Sequence, residues 1–141
     1  MKTGLQNFFI FSCLTVFLLS CDPGVKYDKI IENDSDYDLL VIVYPDSKSG
    51  ASTFFKGDSS MINKKTLTSI FEYSGFGQTF EYEDCNTHAD SIITKIVGYE
   101  NLHLSIDLND ELNWTFSILD RTFKDGGTCE CRVTITNEMI K

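Results

Sequence analysis

Between Leu102 and Thr136 the chain keeps returning to one pattern, apolar and polar in strict alternation. Leu102, Leu104, Ile106 and Leu108 are separated by His103, Ser105 and Asp107. Trp114, Phe116 and Ile118 alternate with Thr115 and Ser117. Cys129, Cys131, Val133 and Ile135 alternate with Glu130, Arg132, Thr134 and Thr136. Successive side chains of an extended chain point to opposite faces, so a period of two predicts strands with one buried face. Asn109-Asp110-Glu111 and Lys124-Asp125-Gly126-Gly127 punctuate these runs as turns.

The preceding half reads the same way, less cleanly. Val25 to Ile31 predicts a first strand, ended by Asn33-Asp34-Ser35-Asp36. Leu39 to Tyr44 is a continuous apolar run rich in β-branched residues, which predicts a strand buried on both faces. Ser60 to Asn63 is a weaker strand. Thr66 to Tyr73 places Leu67, Ser69, Phe71 and Tyr73 on one face, Ser74-Gly75-Phe76-Gly77 reads as a turn, and Gln78 to Glu83 follows. One segment fits two periods. Ile92, Ile93, Ile96 and Val97 share a helical face, with Thr87 placed as an N-cap and Gly98 as a C-cap. Its β-branched residues favour a strand, and one short helix near 87–97 is the alternative. The expectation is an all-β fold, an antiparallel β-sandwich of immunoglobulin-like or Greek-key type, formed by a single domain over 26–141.

The amino-terminal stretch obeys another logic. Lys2 precedes an apolar run from Phe8 to Leu19 that ends in Leu18-Leu19-Ser20-Cys21. The run is shorter than the roughly 20 residues a spanning helix needs, and an acidic segment follows it, so a cleaved signal is expected. Leu18, Ser20 and Cys21 resemble the lipobox of bacterial lipoproteins. That resemblance implies removal of residues 1–20, a diacylglycerol on the Cys21 thiol and a lipidated tether over 21–25. The later texture, an Ile-Ile-Glu-Asn-Asp-Ser strand end leading into a Tyr-rich apolar strand, resembles small Bacteroidota lipoproteins, which tend to be β-sandwiches. The implied location is the bacterial cell envelope, on the outer membrane. Of the acidic residues that mark surface export in that group, only Asp22 is present, followed by Pro23 and Gly24.

Charge and cysteines narrow the chemistry. A net charge of -9 opposes nucleic acid as a partner, because phosphate recognition needs a basic surplus. Cys85, Cys129 and Cys131 remain after the leader and anchor are set aside; in an oxidising envelope one bridge is expected, from Cys85 to Cys129 or to Cys131. The Cys129-Glu130-Cys131 pair lacks the four ligands of a structural zinc site. Asp34, Asp36 and Asp38 have the opening spacing of a calcium loop, but Leu39 and Pro45 stand where an EF-hand needs Gly and Glu. No metal and no cofactor are expected. There is no Gly-x-Ser-x-Gly elbow and no His-Glu-x-x-His; His88 and His103 are the only histidines, and no catalytic residue is assigned. Adjacent residues on a strand face opposite ways, so one of Phe54 and Phe55 is expected at an interface. The chain reads as a non-catalytic binding or structural module, held on a membrane by its lipid and meeting a protein partner. A lipid-anchored inhibitor or immunity-type protein is the second reading, and an enzyme acting on glycan or cell wall the third.

Overall fold

The structure is a computed structural model that describes residues 24–45, 54–55, 59–76, 85, 89–121 and 126–141. It is an all-β sandwich. The strands are β1 (Gly24–Asp34), β2 (Leu39–Pro45), β3 (Phe54–Phe55), β4 (Ser59–Ile62), β5 (Thr66–Phe76), β6 (Ala89–Ile96), β7 (Thr115–Arg121) and β8 (Gly127–Thr136). One sheet has five strands in the order β3-β5-β1-β8-β7, the other three in the order β4-β2-β6. Among the described strands every pairing is antiparallel but one: β1 runs parallel to β8, from Val25 beside Gly127 to Asp34 beside Thr136. The expected purely antiparallel arrangement therefore gives way to a mixed sheet. From β1 to β7 each strand lies in the sheet opposite its predecessor, and β7–β8 is the one consecutive pair that bonds. First and last strands meet side by side because the chain crosses between layers rather than folding back beside itself.

The core lies between the layers. Ile31, Leu39, Val41, Ile62, Cys129, Cys131 and Ile135 are fully buried, joined by Val25, Ile70, Phe71, Ile92, Ile96 and Trp114. Each large aliphatic side chain so placed is worth about 1.5–3 kcal/mol relative to exposure. The parity of β8 is as expected, with both cysteines inward. Within the segment near 87–97, Ala89–Ile96 is strand rather than helix: Leu39 to Pro45 pairs with it from Ile96 to Ala89, and the ladder stabilises what β-branched side chains already prefer.

Four expectations need correction. Residues 102–108 alternate in burial but form no strand; a single bridge joins Leu104 to Ile140, and His103 and Lys141 exchange backbone bonds of 2.8 and 3.0 Å. A segment whose Leu102, Leu104 and Ile106 pack against the core shows the same period as a sheet strand. Ser74, Gly75 and Phe76 continue β5 opposite Gly24, Val25 and Lys26 instead of turning. On β5 a register shift opposite Lys29 and Ile30 sets Ile70 and Phe71 both inward and leaves Leu67 about half exposed. Finally, β2 is buried on one face only: Leu40 and Ile42 are half-buried and Tyr44 is 48% exposed.

At the first residue of β8, glycine is required. Gly127 has φ of +135°, and a Cβ there would collide with the Asp120 carbonyl oxygen.

Candidate binding cleft and its surroundings

The outer face of β7 and β8 forms the floor of an open cleft of about 460 Å³. Thr115 and Ser117 come from β7, Glu130, Arg132 and Thr134 from β8, while Ile106, Asn113 and Met139 make the rim. Alternation along β8 puts Glu130 and Arg132 on this outward face, two residues apart and therefore side by side. Arg132 donates from Nε to Glu130 Oε1 at 3.0 Å, and its Nη2 lies 2.9 Å from the same oxygen. Its Nη1 reaches Glu32 Oε2 at 3.4 Å, and Thr134 Oγ1 donates to that oxygen at 3.1 Å. Glu130 is buried although it points away from the core. A carboxylate removed from water in this way needs a charged partner, and the guanidinium supplies it. The cleft thus presents hydroxyls around one arginine held between two glutamates. That chemistry suits a polar ligand and offers no free carboxylate pair.

The same face continues onto β1 and β5. Lys26 bridges Asp28 at 3.3 Å and Glu72 at 3.0 Å. Hydrogen bonding to Glu72, then to Asp28, holds the Lys26 ammonium above the usual lysine range.

Inside the sandwich the structure pairs Cys85 with Cys131, Cα atoms 5.6 Å apart. Of the two pairings the sequence allowed, this one leaves Cys129 as a buried thiol, its Sγ 3.6 Å from the Lys26 carbonyl oxygen. Burial, with a contribution from Asp28, pushes that thiol up to about 11. With Cys131 in the bridge, Cys129 and Cys131 no longer form a pair of thiolate ligands. Next to the bridge lies a residue that sequence reasoning passed over. Lys29 is 2% exposed; its Nζ donates to the Cys85 carbonyl at 2.7 Å and stands 4.0 Å from the Trp114 ring centroid. Its parity with Val25, Tyr27 and Ile31 was a readable sign that it faces inward.

The Asp-rich turn after β1 is structural. Asn33 is buried, and its Nδ2 donates to the carbonyls of Tyr37, Ile62 and Asn63 at 2.8, 3.3 and 3.2 Å. Asn33 Oδ1 accepts from Ser35 Oγ at 2.6 Å. One amide thereby ties the end of β1 to the end of β4 in the other sheet. The carboxylates spread outward: Asp34 and Asp36 pair with Lys65, and Asp38 accepts from the Lys64 backbone N–H. Asn137, and after it Lys65, holds the Asp36 carboxyl below the usual range. Among the described residues no group of three or more His, Cys, Asp or Glu is arranged to hold a metal ion.

No family model, curated protein or solved structure matches the chain. The site therefore stands on its own geometry. Cys21 and His88 lie outside the described residues, as do the side chains of Phe54 and Phe55, whose backbone forms the edge strand β3. His103 is exposed and tied to Lys141 through its backbone.

Proposed function

We propose that the chain is a lipid-anchored envelope module, on the outer membrane of a bacterium, that binds a partner rather than catalysing a reaction. The Leu18-Leu19-Ser20-Cys21 sequence carries this reading, because it supplies both an export signal and a thiol to acylate. Two or more acyl chains make attachment durable, at about 0.8 kcal/mol per buried methylene. The position of β1 is consistent with it: the first strand begins at Gly24, three residues after Cys21, so the tether leaves directly from the sandwich. A rigid sandwich with an internal bridge suits a displayed binding surface. The cleft over β8 supports binding over hydrolysis, since Glu130 is held against Arg132 instead of facing a second carboxylate.

Mass spectrometry of the amino-terminal peptide from native membranes tests the anchor. Fatty acids are expected on Cys21, and Cys21→Ser should release the protein from membranes. An unmodified Cys21 in membrane-derived protein would refute the reading. Arg132→Ala is expected to abolish capture of the cleft's ligand while leaving acylation intact.

A second reading, an inhibitor or immunity-type protein, draws on the carboxylates of the five-stranded face, Asp28, Glu32, Glu72 and Glu130, which outnumber Lys26 and Arg132 there. Such a field would attract a basic enzyme. It requires that Glu32→Gln and Glu72→Gln slow association with that target.

A further inference from the structure

The three-stranded sheet has an outer face whose side chains are partly exposed and on which none of the described elements is layered. Met61 lies beside Leu40 on adjacent strands, Ile42 beside Ile93, and Tyr44 follows on β2. Met61, Tyr44 and Ile93 are 53%, 48% and 43% exposed. Ser59, Ser91 and Lys95 are the other outward positions of this sheet among the described side chains, and none of these is a carboxylate. In a chain of net charge -9 that is a selective omission. The outer face of the opposite sheet includes the carboxylates of Asp28, Glu32, Glu72 and Glu130. β2 has apolar side chains on both sides, the composition of a strand meant to be covered twice.

We propose that this face docks against the same face of a second copy of the chain, side by side on one membrane. Charge decides the occupant. Two strongly acidic molecules repel over most of their surfaces, and they approach at least cost where neither presents a carboxylate. Apolar sheet faces pack on each other about 10 Å apart, as the layers within the sandwich do. Size fits a tethered partner. A patch of this kind exposes a few hundred Å², below the roughly 800 Å² per partner of a free-standing interface. Anchorage raises the local concentration of copies and makes so small a contact sufficient; this part rests on the proposed Cys21 anchor. Lipid is the wrong occupant. Three residues from Cys21 to Gly24 reach about 10 Å, and the sheets are themselves about 10 Å apart, so the tether of β1 in the five-stranded sheet holds the far face off the bilayer. Strand addition at β6 is also opposed, because the Asn109 side chain occupies that edge, accepting from Ile92 N at 2.6 Å and donating to Ile92 O at 3.1 Å.

Two arms test the proposal. In phosphatidylcholine vesicles, lipidated protein labelled at Leu112→Cys, a site 87% exposed and outside the strands of the patch, is followed by energy transfer between copies. Transfer above the random-collision level at low surface density is expected, lost in Ile93→Glu and retained in Leu67→Glu. In solution, Cys21→Ser protein is sedimented at up to millimolar concentration, where Ile93→Glu should weaken self-association at least tenfold; circular dichroism confirms that each variant is folded. Random-level transfer together with a monomer at millimolar concentration overturns the face, as does association indifferent to Ile93→Glu. Should Cys21 prove unacylated while the soluble arm dimerises through Ile93, the face stands and the anchor falls.

Discussion

The two outer faces of this sandwich were built by opposite rules. On the five-stranded sheet, Lys26, Asp28 and Glu72, then Arg132, Glu130 and Glu32, form two ion-paired clusters. On the three-stranded sheet the equivalent outward positions hold Leu40, Ile42, Tyr44, Met61 and Ile93. The first face is largely finished within the chain, since Lys26 and Arg132 each meet two carboxylates. The second is unfinished, since apolar side chains gain nothing from water. Exposure alone would call both faces surface; their chemistry separates a surface that meets solvent from one that waits for cover.

Holding two such layers back to back depends on the ties between them. Cys131→Ser should have the largest effect, about 4 kcal/mol from chain entropy for a bridge between positions 46 residues apart. Urea unfolding measures it, and hydrogen exchange should rise in β8 and β6 together; protection lost in one sheet alone would mean the layers fold independently. Asn33→Ala comes next, at about 2–3 kcal/mol, because it removes the buried amide that joins three carbonyls and the Ser35 hydroxyl between the sheets. The faces themselves supply a sharper contrast. Glu130→Gln should cost about 2 kcal/mol, since it removes the nearer and more buried of the two counter-charges of Arg132 and leaves only Glu32 at 3.4 Å. Ile93→Glu, a harsher change on paper, should stay within about 0.5 kcal/mol in dilute solution because nothing packs on it there. Reversal of that order would break the comparison.

Titration gives the smallest effects, and they differ in sign. The Asp107 carboxyl, hydrogen-bonded first by the Asn109 backbone and then by its side chain, is held below 3.8, as Asp36 is. Their contribution is present above 3.8 and is lost as pH falls through the lower folded values. Asp107→Asn should therefore flatten the melting temperature slightly between pH 4 and 3. Cys129 runs the other way: its folded value of about 11 exceeds 9.0, so neutral thiol favours the fold below pH 9 and loses that advantage as pH rises toward 11. Cys129→Ala should remove that alkaline slope. In the folded protein the thiol should resist alkylation at pH 8.

Much of this was legible in the chain, for local reasons. Alternation in β8 gave the inward side of Cys129, Cys131, Val133 and Ile135 correctly, because parity along a strand is a property of the backbone alone. Glu130 was legible only as polar and outward; that it would be buried under Arg132 depends on neighbours in β1 and β7. The 102–108 segment misled for the same reason, since burial on one side produces alternation whether or not a ladder forms. The bulge at Ile70 left no sign in composition.

Period, turn chemistry and a cysteine count were enough to establish an all-β sandwich with at most one bridge, because strand-forming preference and oxidation act on nearby atoms. Which strands pair, that β1 lies parallel to β8, that Cys85 selects Cys131, and that the apolar run of β2 is covered on one side only were settled by packing. Those outcomes turn on distances between residues far apart in the chain, and no local pattern encodes them.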